Sequence, residues 1–362
     1  METYPIPMVP GPVHVPPQIL AAYQIDYGSA DLEPEFLDLY NRTESNLQKI
    51  MGTKNQIAIM SGEGMLALWG ALKSCIQPGD RVLSIATGVF GYGVADMAKS
   101  IGAIVNTIEL PYDQTIQDWG AIDRAVSDFH PKMITVIHCE TPSGTLNPLE
   151  ELGEIKHRHN VPLLYTDVVA SLGGAPVLVD AWGIDLALGA TQKALSAPPG
   201  MSFVSISPAA WGIIEQVDYP GYDALIPWKT AQRDFYFPYT PDWHGTAALY
   251  AATQMLLAEG LENSYQRHAQ AAQLCRQGVQ SIGLDLFPDQ SAIPSPTVTA
   301  VKVPDGIPWK ELDQRFRRQG LAVAGSYGPL TGKVFRLGHM GSQADDKLVQ
   351  QALEVIQAAL KR

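Results

Sequence analysis

Between residues 56 and 206, short apolar runs alternate with windows in which apolar side chains recur at helical spacing. The runs at 56–60, 81–85, 104–108, 133–138, 162–166 and 201–206 are dense in Ile, Val, Leu and Met and predict strands. The windows at 64–74, 91–101 and 149–159 predict helices, the last opened by Asn147 as N-cap and Pro148 in its first turn. Strands alternating with helices predict an α/β fold with a mostly parallel central sheet covered by its crossover helices.

The pattern changes at both ends. Six prolines in the first 17 residues (Pro5, Pro7, Pro10, Pro12, Pro16, Pro17) remove the donors and dihedrals that helices and central strands need, so residues 1–17 are expected as an extended arm. Residues 218–243 form an aromatic, Pro-rich stretch too long for an ordinary connection. Residues 245–282 then read as two long helices split near Gly260, followed by a strand-like run at 297–303 and helical windows at 309–319 and 345–360. We therefore expect a large domain over 18–255 and a smaller C-terminal α+β domain over 256–362.

Composition narrows the function classes. The chain has 362 residues, 46% hydrophobic, with 25 basic against 37 acidic side chains and a net charge of −12, which opposes binding to phosphate backbones and anionic membranes. Nucleic acid and membrane partners are not expected. Cys75, Cys139 and Cys275 are odd in number and lack CxxC spacing, which fits reduced thiols and argues against a disulfide framework or zinc. With no signal-like N-terminus and no run of about 18 apolar residues, the expectation is a soluble cytoplasmic enzyme without a metal.

The candidate chemistry sits where apolar runs end. GlyGluGlyMetLeuAla at 62–67 follows a strand and opens a helix, matching the GxGxxG/A pattern of dinucleotide sites. A nicotinamide dehydrogenase would also place an acid about 20 residues on for the ribose, and none stands at the end of the next strand. Three further segments put polar residues after strands: HisCysGluThrProSerGly (138–144), TyrThrAspValValAlaSer (165–171) and GlyAlaThrGlnLysAlaLeuSerAlaProProGly (189–200). In an open α/β sheet these carboxyl ends face the ligand, so Thr141, Asp167 and Lys193 can converge. A lysine condenses with carbonyl carbon to a Schiff base, and a carboxylate facing a pyridinium nitrogen keeps that ring an electron sink. The same pair also fits a turn-capping Asp and a solvated Lys. In LysValPheArgLeuGlyHisMetGly (333–341), Arg336 lies inside an apolar strand, as a carboxylate clamp or as the partner of a structural acid. His339 is given no role, and His157 and His159, two apart on a helix, face different ways.

These motifs, with GlyProValHisValPro at 11–16, resemble class V aminotransferases of pyridoxal-phosphate fold type I, in the alanine-glyoxylate and serine-pyruvate branch. The resemblance implies a homodimer with active sites at the subunit interface and pyridoxal 5'-phosphate, or an unphosphorylated vitamer, held as a Schiff base on Lys193. It implies that Asp167 pairs with the ring nitrogen, Val169 and Phe90 cover the two ring faces, Thr141 lies by the ring hydroxyl, and Arg336 holds the substrate carboxylate. Gly64, Met65 and Gln192 would line the phosphate end.

Two positions depart from that branch. Glu63 stands where it has a small hydroxyl residue, and Phe237 stands where a tyrosine hydroxyl comes from the partner subunit, with Thr240 retained. A carboxylate about 4 Å from each unit of phosphate charge costs about 4 kcal/mol at an effective dielectric of about 20, whereas a hydroxymethyl group would donate to it. This is similar to the pyridoxamine-pyruvate type of the family, in which pyridoxal and L-alanine exchange with pyridoxamine and pyruvate. That type carries a second arginine where this chain has Tyr327, a candidate substrate contact. Gln192 is by contrast the residue of the phosphate-binding relatives. The alternatives are a phosphate-retaining alanine- or serine-glyoxylate or serine-pyruvate aminotransferase and, more distantly, an NAD-binding oxidoreductase. A class V desulfurase would need a reactive cysteine on the Arg336 side, and 320–335 contains none.

Overall fold

Six strands of the central sheet run parallel: β1 (Gln56–Ser61), β2 (Arg81–Ala86), β3 (Ile104–Glu109), β4 (Met133–Ile137), β5 (Leu163–Asp167) and β6 (Leu186–Ala190). The seventh, β7 (Met201–Ile206), is antiparallel to both β6 and β1, which leaves β1 parallel to the rest. The order across the sheet is β1-β7-β6-β5-β4-β2-β3. Every residue of β4 to β7 is buried, as expected for strands covered on both faces. Edge strand β3 instead alternates exposed and half-buried positions. The computed structural model describes residues 4–361.

The strand β6 is absent from the apolar runs expected above, because LeuAlaLeuGlyAla has little β-branched character. Its place is decided by a neighbour. A Cβ on Gly189 would lie 2.2 Å from Cε2 of Phe203 on β7, so the Phe203 ring occupies the space that any side chain would need. The expected helices form as Gly64–Cys75, Val89–Ser100 and Glu150–Arg158. Asn147 does not cap the last of these, whose N-cap is Leu149. Its amide donates instead to Thr87 Oγ1 and the Ile137 carbonyl, and its oxygen accepts from Ile116 N–H, tying three loops at the strand ends.

Within 218–243 the stretch is not all loop: it contains the helix Trp228–Asp234. The following helices, Trp243–Glu259 and Leu261–Ser281, break at Gly260, whose φ of +86° suits glycine. A second apolar cluster, including Cys275, Leu312, Phe316 and Ile356, lies against an antiparallel sheet of β8 (Val298–Lys302), β9 (Ala324–Gly325) and β10 (Val334–Gly338), in the order β8-β10-β9. The N-terminal arm bridges this cluster and the strand ends of the large sheet. Its Ile6–Pro7 strand pairs in parallel with Leu321–Ala322, Met8 enters the second cluster, and Val13 packs in a smaller one with Cys139, Ala170 and Ala194.

All three cysteines are buried and unpaired. Among the described residues no helix is long and apolar enough to cross a membrane, and no cluster of three His, Cys, Asp or Glu could hold a metal.

The Gly189 contact makes a prediction. Gly189→Ala should destabilise the fold by about 1–3 kcal/mol through overpacking, and Phe203→Leu should recover part of that loss, both read by thermal denaturation.

Candidate active site

Because β1 to β6 share one direction, Ser61, Ile137, Asp167 and Ala190 end at the same edge of the sheet, and the segments that follow enclose a cavity of about 130 Å³. It is lined by Glu63, Gly64 and Met65 after β1, Phe90 after β2, Thr141 after β4, Asp167 and Val169 at the end of β5, and Gln192 and Lys193 after β6. Leu68, Cys139 and Ala170 complete the wall. The sequence motifs named all of these except the last three.

Each polar group is held by local structure. Glu63 is the N-cap of Gly64–Cys75, its Oε1 accepting the Met65 N–H at 3.0 Å. Gly64 lies close under the neighbouring strand, since a Cβ there would meet Ala190 Cβ and Val169 Cγ2, each at 3.3 Å. Phe90 sits in the first turn of Val89–Ser100, where Glu140 accepts the backbone N–H groups of Phe90 at 3.1 Å and Gly91 at 2.7 Å. Gly88 makes room for that carboxyl: a Cβ would lie 2.6 Å from Glu140 Cδ. Burial pushes the Glu140 carboxyl up to about 8, against the pull of the two N–H groups.

Asp167 Oδ1 accepts the Val169 N–H at 2.8 Å. Burial pushes its carboxyl up to about 6, while that hydrogen bond and the Lys193 charge pull it down. Lys193 donates from Nζ to the carbonyl of Pro10 at 2.6 Å. Burial, aided by the Arg336 charge, lowers its amine to about 8, against Asp167, Cys139 and Glu63. At neutral pH roughly a tenth of such an amine is unprotonated and nucleophilic. Gln192 is buried where it lines the cavity, and its Oε1 has no hydrogen-bond partner.

Arg336 is 2% exposed on β10, and no acid pairs with it among the described residues. Its Nε and Nη2 both donate to the Gly325 carbonyl, at 2.8 and 2.6 Å, and its guanidinium lies 4.6 Å from the centre of the Tyr327 ring. Arg336, Tyr327 and Thr240 lie outside the cavity wall. Tyr327 is half exposed, with its ring over the Arg336 guanidinium, and Thr240 is exposed on a loop. Phe237 is buried in its own chain against Phe36, Tyr40 and Trp228. The flanking aromatic residues drive it inward.

Sequence reasoning missed Cys139, Glu140 and Pro10. Cys139 carried only a generic spacing signal, yet it lines the cavity with its thiol bonded to Ser295 Oγ at 3.1 Å and Thr297 Oγ1 at 3.6 Å. Burial pushes that thiol up to about 11, which makes it inert at neutral pH. His339 proves to be a satisfied core histidine, bonded to Thr299 Oγ1 at 2.7 Å and to the Pro296 carbonyl at 3.1 Å.

A partly neutral amine and a buried carboxyl on one cavity, with a desolvated guanidinium outside its wall whose charge acts on that amine, suit covalent capture of a carbonyl compound. The charges acting on Lys193 make a signed prediction. Arg336→Gln should raise the pH midpoint of Lys193 acylation, and Asp167→Asn should lower it, as followed by peptide mass spectrometry after pulse labelling.

Comparison with known proteins agrees with this geometry. Residues 11–337 match the family model for class V aminotransferases. The pyridoxamine–pyruvate transaminase of Mesorhizobium japonicum is 33% identical over 98% of this chain and 91% of its own length. The alanine–glyoxylate aminotransferase of Callithrix jacchus is also 33% identical, over 97% of this chain and 86% of its own. Among solved structures, pyridoxamine-pyruvate aminotransferase from Mesorhizobium loti superposes with a TM-score of 0.95 at 32% identity, covering 99% of this chain and 93% of that one. The ureidoglycine-glyoxylate aminotransferase of Bacillus subtilis gives 0.94 at 31%, covering 98% and 92%. With a mostly parallel central sheet of pyridoxal-phosphate fold type I and a lysine at its carboxyl edge, the chain belongs to the class V aminotransferases.

Proposed function

We propose that this enzyme moves an amino group between a vitamin B6 species and a small 2-oxo acid, converting pyridoxal and L-alanine to pyridoxamine and pyruvate, reversibly. The observation that carries the reading is the Glu63 carboxylate in the cavity wall, an acceptor held in place by the Met65 N–H. A hydroxymethyl group donates one hydrogen bond there. A phosphate carries about −1.5 to −2 charge, and its repulsion by Glu63 at about 4 Å lies between about 1 kcal/mol per unit charge in water and about 4 in a protein surface setting.

The remaining residues fit a pyridine ring. Val169 and Phe90 supply apolar walls, Thr141 a hydroxyl, and Asp167 a carboxyl for the ring nitrogen. When bound, the vitamer supplies the electron sink that loosens the amino acid's α-proton. Lys193 would hold the vitamer by its amine and would serve as the base that moves the amino acid's α-proton. Arg336 binds the single carboxylate of alanine or pyruvate, with Tyr327 stacked on it in place of a second cation. We place residues 18–255 in the vitamer-binding domain and 256–362 in the smaller one, the helix break at Gly260 falling just inside the second. We further read a homodimer, in which Thr240, remote from its own cavity, serves the partner's site.

One observation favours a second reading. Gln192 can turn its amide to donate, and the N-terminus of Gly64–Cys75 adjoins it, so a phosphate-retaining alanine- or serine-glyoxylate or serine-pyruvate aminotransferase is the alternative.

Titration of the purified protein with pyridoxal and pyridoxal phosphate separately, read by absorbance and binding stoichiometry, decides between them. We expect tight capture of pyridoxal in preference to its phosphate, relaxed or reversed by Glu63→Ser. One pyridoxal phosphate retained per chain through dialysis would select the alternative. Lys193→Ala should abolish capture and turnover in both cases, and full activity in that variant would sink the transaminase reading.

A further inference from the structure

The N-terminal arm reaches the reactive amine by its backbone. The Pro10 carbonyl is the one hydrogen-bond acceptor of Lys193 Nζ among the described residues. The next residue, Gly11, has φ of +88°, and a Cβ there would fall 2.6 Å from Lys193 Cδ, 2.8 Å from Nζ and 3.0 Å from the Gln192 carbonyl. Two residues later the Val13 N–H donates to that same Gln192 carbonyl at 3.1 Å, so the arm also grips the lysine's own loop.

Its other side is fixed to the second cluster. Met8 N–H donates to the Ala322 carbonyl at 2.8 Å, and Gly338 N–H on β10 donates to the Met8 carbonyl at 2.7 Å. Gln343 donates from Nε2 to the Val9 carbonyl at 2.8 Å and accepts the His14 N–H at 3.1 Å. A Cβ on Gly338 would lie 2.3 Å from the Val9 oxygen, so the approach is close along the whole run. The Pro10 carbonyl is thus a rigid, uncharged acceptor aimed at a side chain that must move during turnover.

We propose that Pro10 and Gly11 form a docking point for the Lys193 amine: the Pro10 carbonyl holds the amine whenever it carries no ligand, and Gly11 is a positioning residue that keeps the way to it open. The proposal rests on Lys193 as the reactive amine. It gives the lysine a defined resting place when a substrate amine displaces it, close to the atoms between which it carries a proton. It also ties that resting place to β10, the strand that bears Arg336, so substrate-carboxylate clamp and lysine share one support.

The charged and titratable groups acting on Lys193 are Arg336 on β10, Asp167 at the end of β5, Cys139 beyond β4 and Glu63 at the helix start. None of them is altered by a change at Gly11. A carbonyl that accepts from the ammonium favours the charged form, so displacing the amine should let it lose its proton at lower pH.

The test is pulse reductive methylation of Lys193 by formaldehyde and cyanoborohydride across pH, read on the Lys193 peptide by mass spectrometry in the full-length protein without added vitamer. Gly11→Ala should lower the midpoint by about one pH unit. Gln343→Ala, which frees the arm without touching the cavity wall, should shift it in the same direction by less. Gly283→Ala is the control: its φ of +89° imposes equal backbone strain, nothing lies within 4 Å of its Cβ, and the midpoint should stay at the wild-type value. An unchanged midpoint in a folded Gly11→Ala protein, or an equal shift in Gly283→Ala, overturns the proposal. Should Gly11→Ala not fold, an unchanged midpoint in Gln343→Ala overturns it instead. Because no vitamer is used, failure of the wild-type protein to capture pyridoxal or its phosphate would count against the proposed function and leave this measurement standing.

Discussion

A lysine amine taken out of water and surrounded by fixed charges is the constraint on which the rest of the site depends. In solvent the amine would be a protonated, inert surface group. Here burial and the Arg336 guanidinium lower it to about 8, while Asp167, Cys139 and Glu63 oppose them. Enclosing it takes a sheet edge, two glycine-bearing turns and an arm from the far end of the chain. Parallel strands supply the edge, because only they end their carboxyl termini side by side.

The supporting groups are placed so that each charge has one task. Asp167 is kept at the strand end by the Val169 N–H. Arg336 is desolvated yet spends two of its donors on a single carbonyl, which leaves its other N–H groups without a protein acceptor among the described residues. Glu140, the most deeply buried acid near the site, holds the helix start that carries Phe90, and Gly88 exists as glycine because that carboxyl fills the space of a side chain. Glu63 lines the same cavity and caps the helix that starts there, its carboxyl fixed by the Met65 N–H.

Where the pattern failed, a long-range contact had overruled a local preference. The small residues of β6 gave no strand signal, yet Phe203 and the flanking strands leave no other conformation for them. Asn147 has the look of a helix cap, but three orphaned loop groups at the strand ends claim its amide.

The sequence by itself determined the parallel α/β sheet, the glycine-bearing turn at Gly62 to Gly64 and the placement of Asp167 and Lys193 just at or beyond strand ends, since each rests on periodicity or on residues close in the chain to their effect. The place of Cys139 in the cavity wall, the burial that tunes Lys193 and Asp167, and the Pro10 carbonyl at the amine were decided only by the tertiary structure. Desolvation depends on every group that excludes water from a point, and those groups come from segments as distant as residues 10, 139 and 336. No local pattern in the chain encodes their sum.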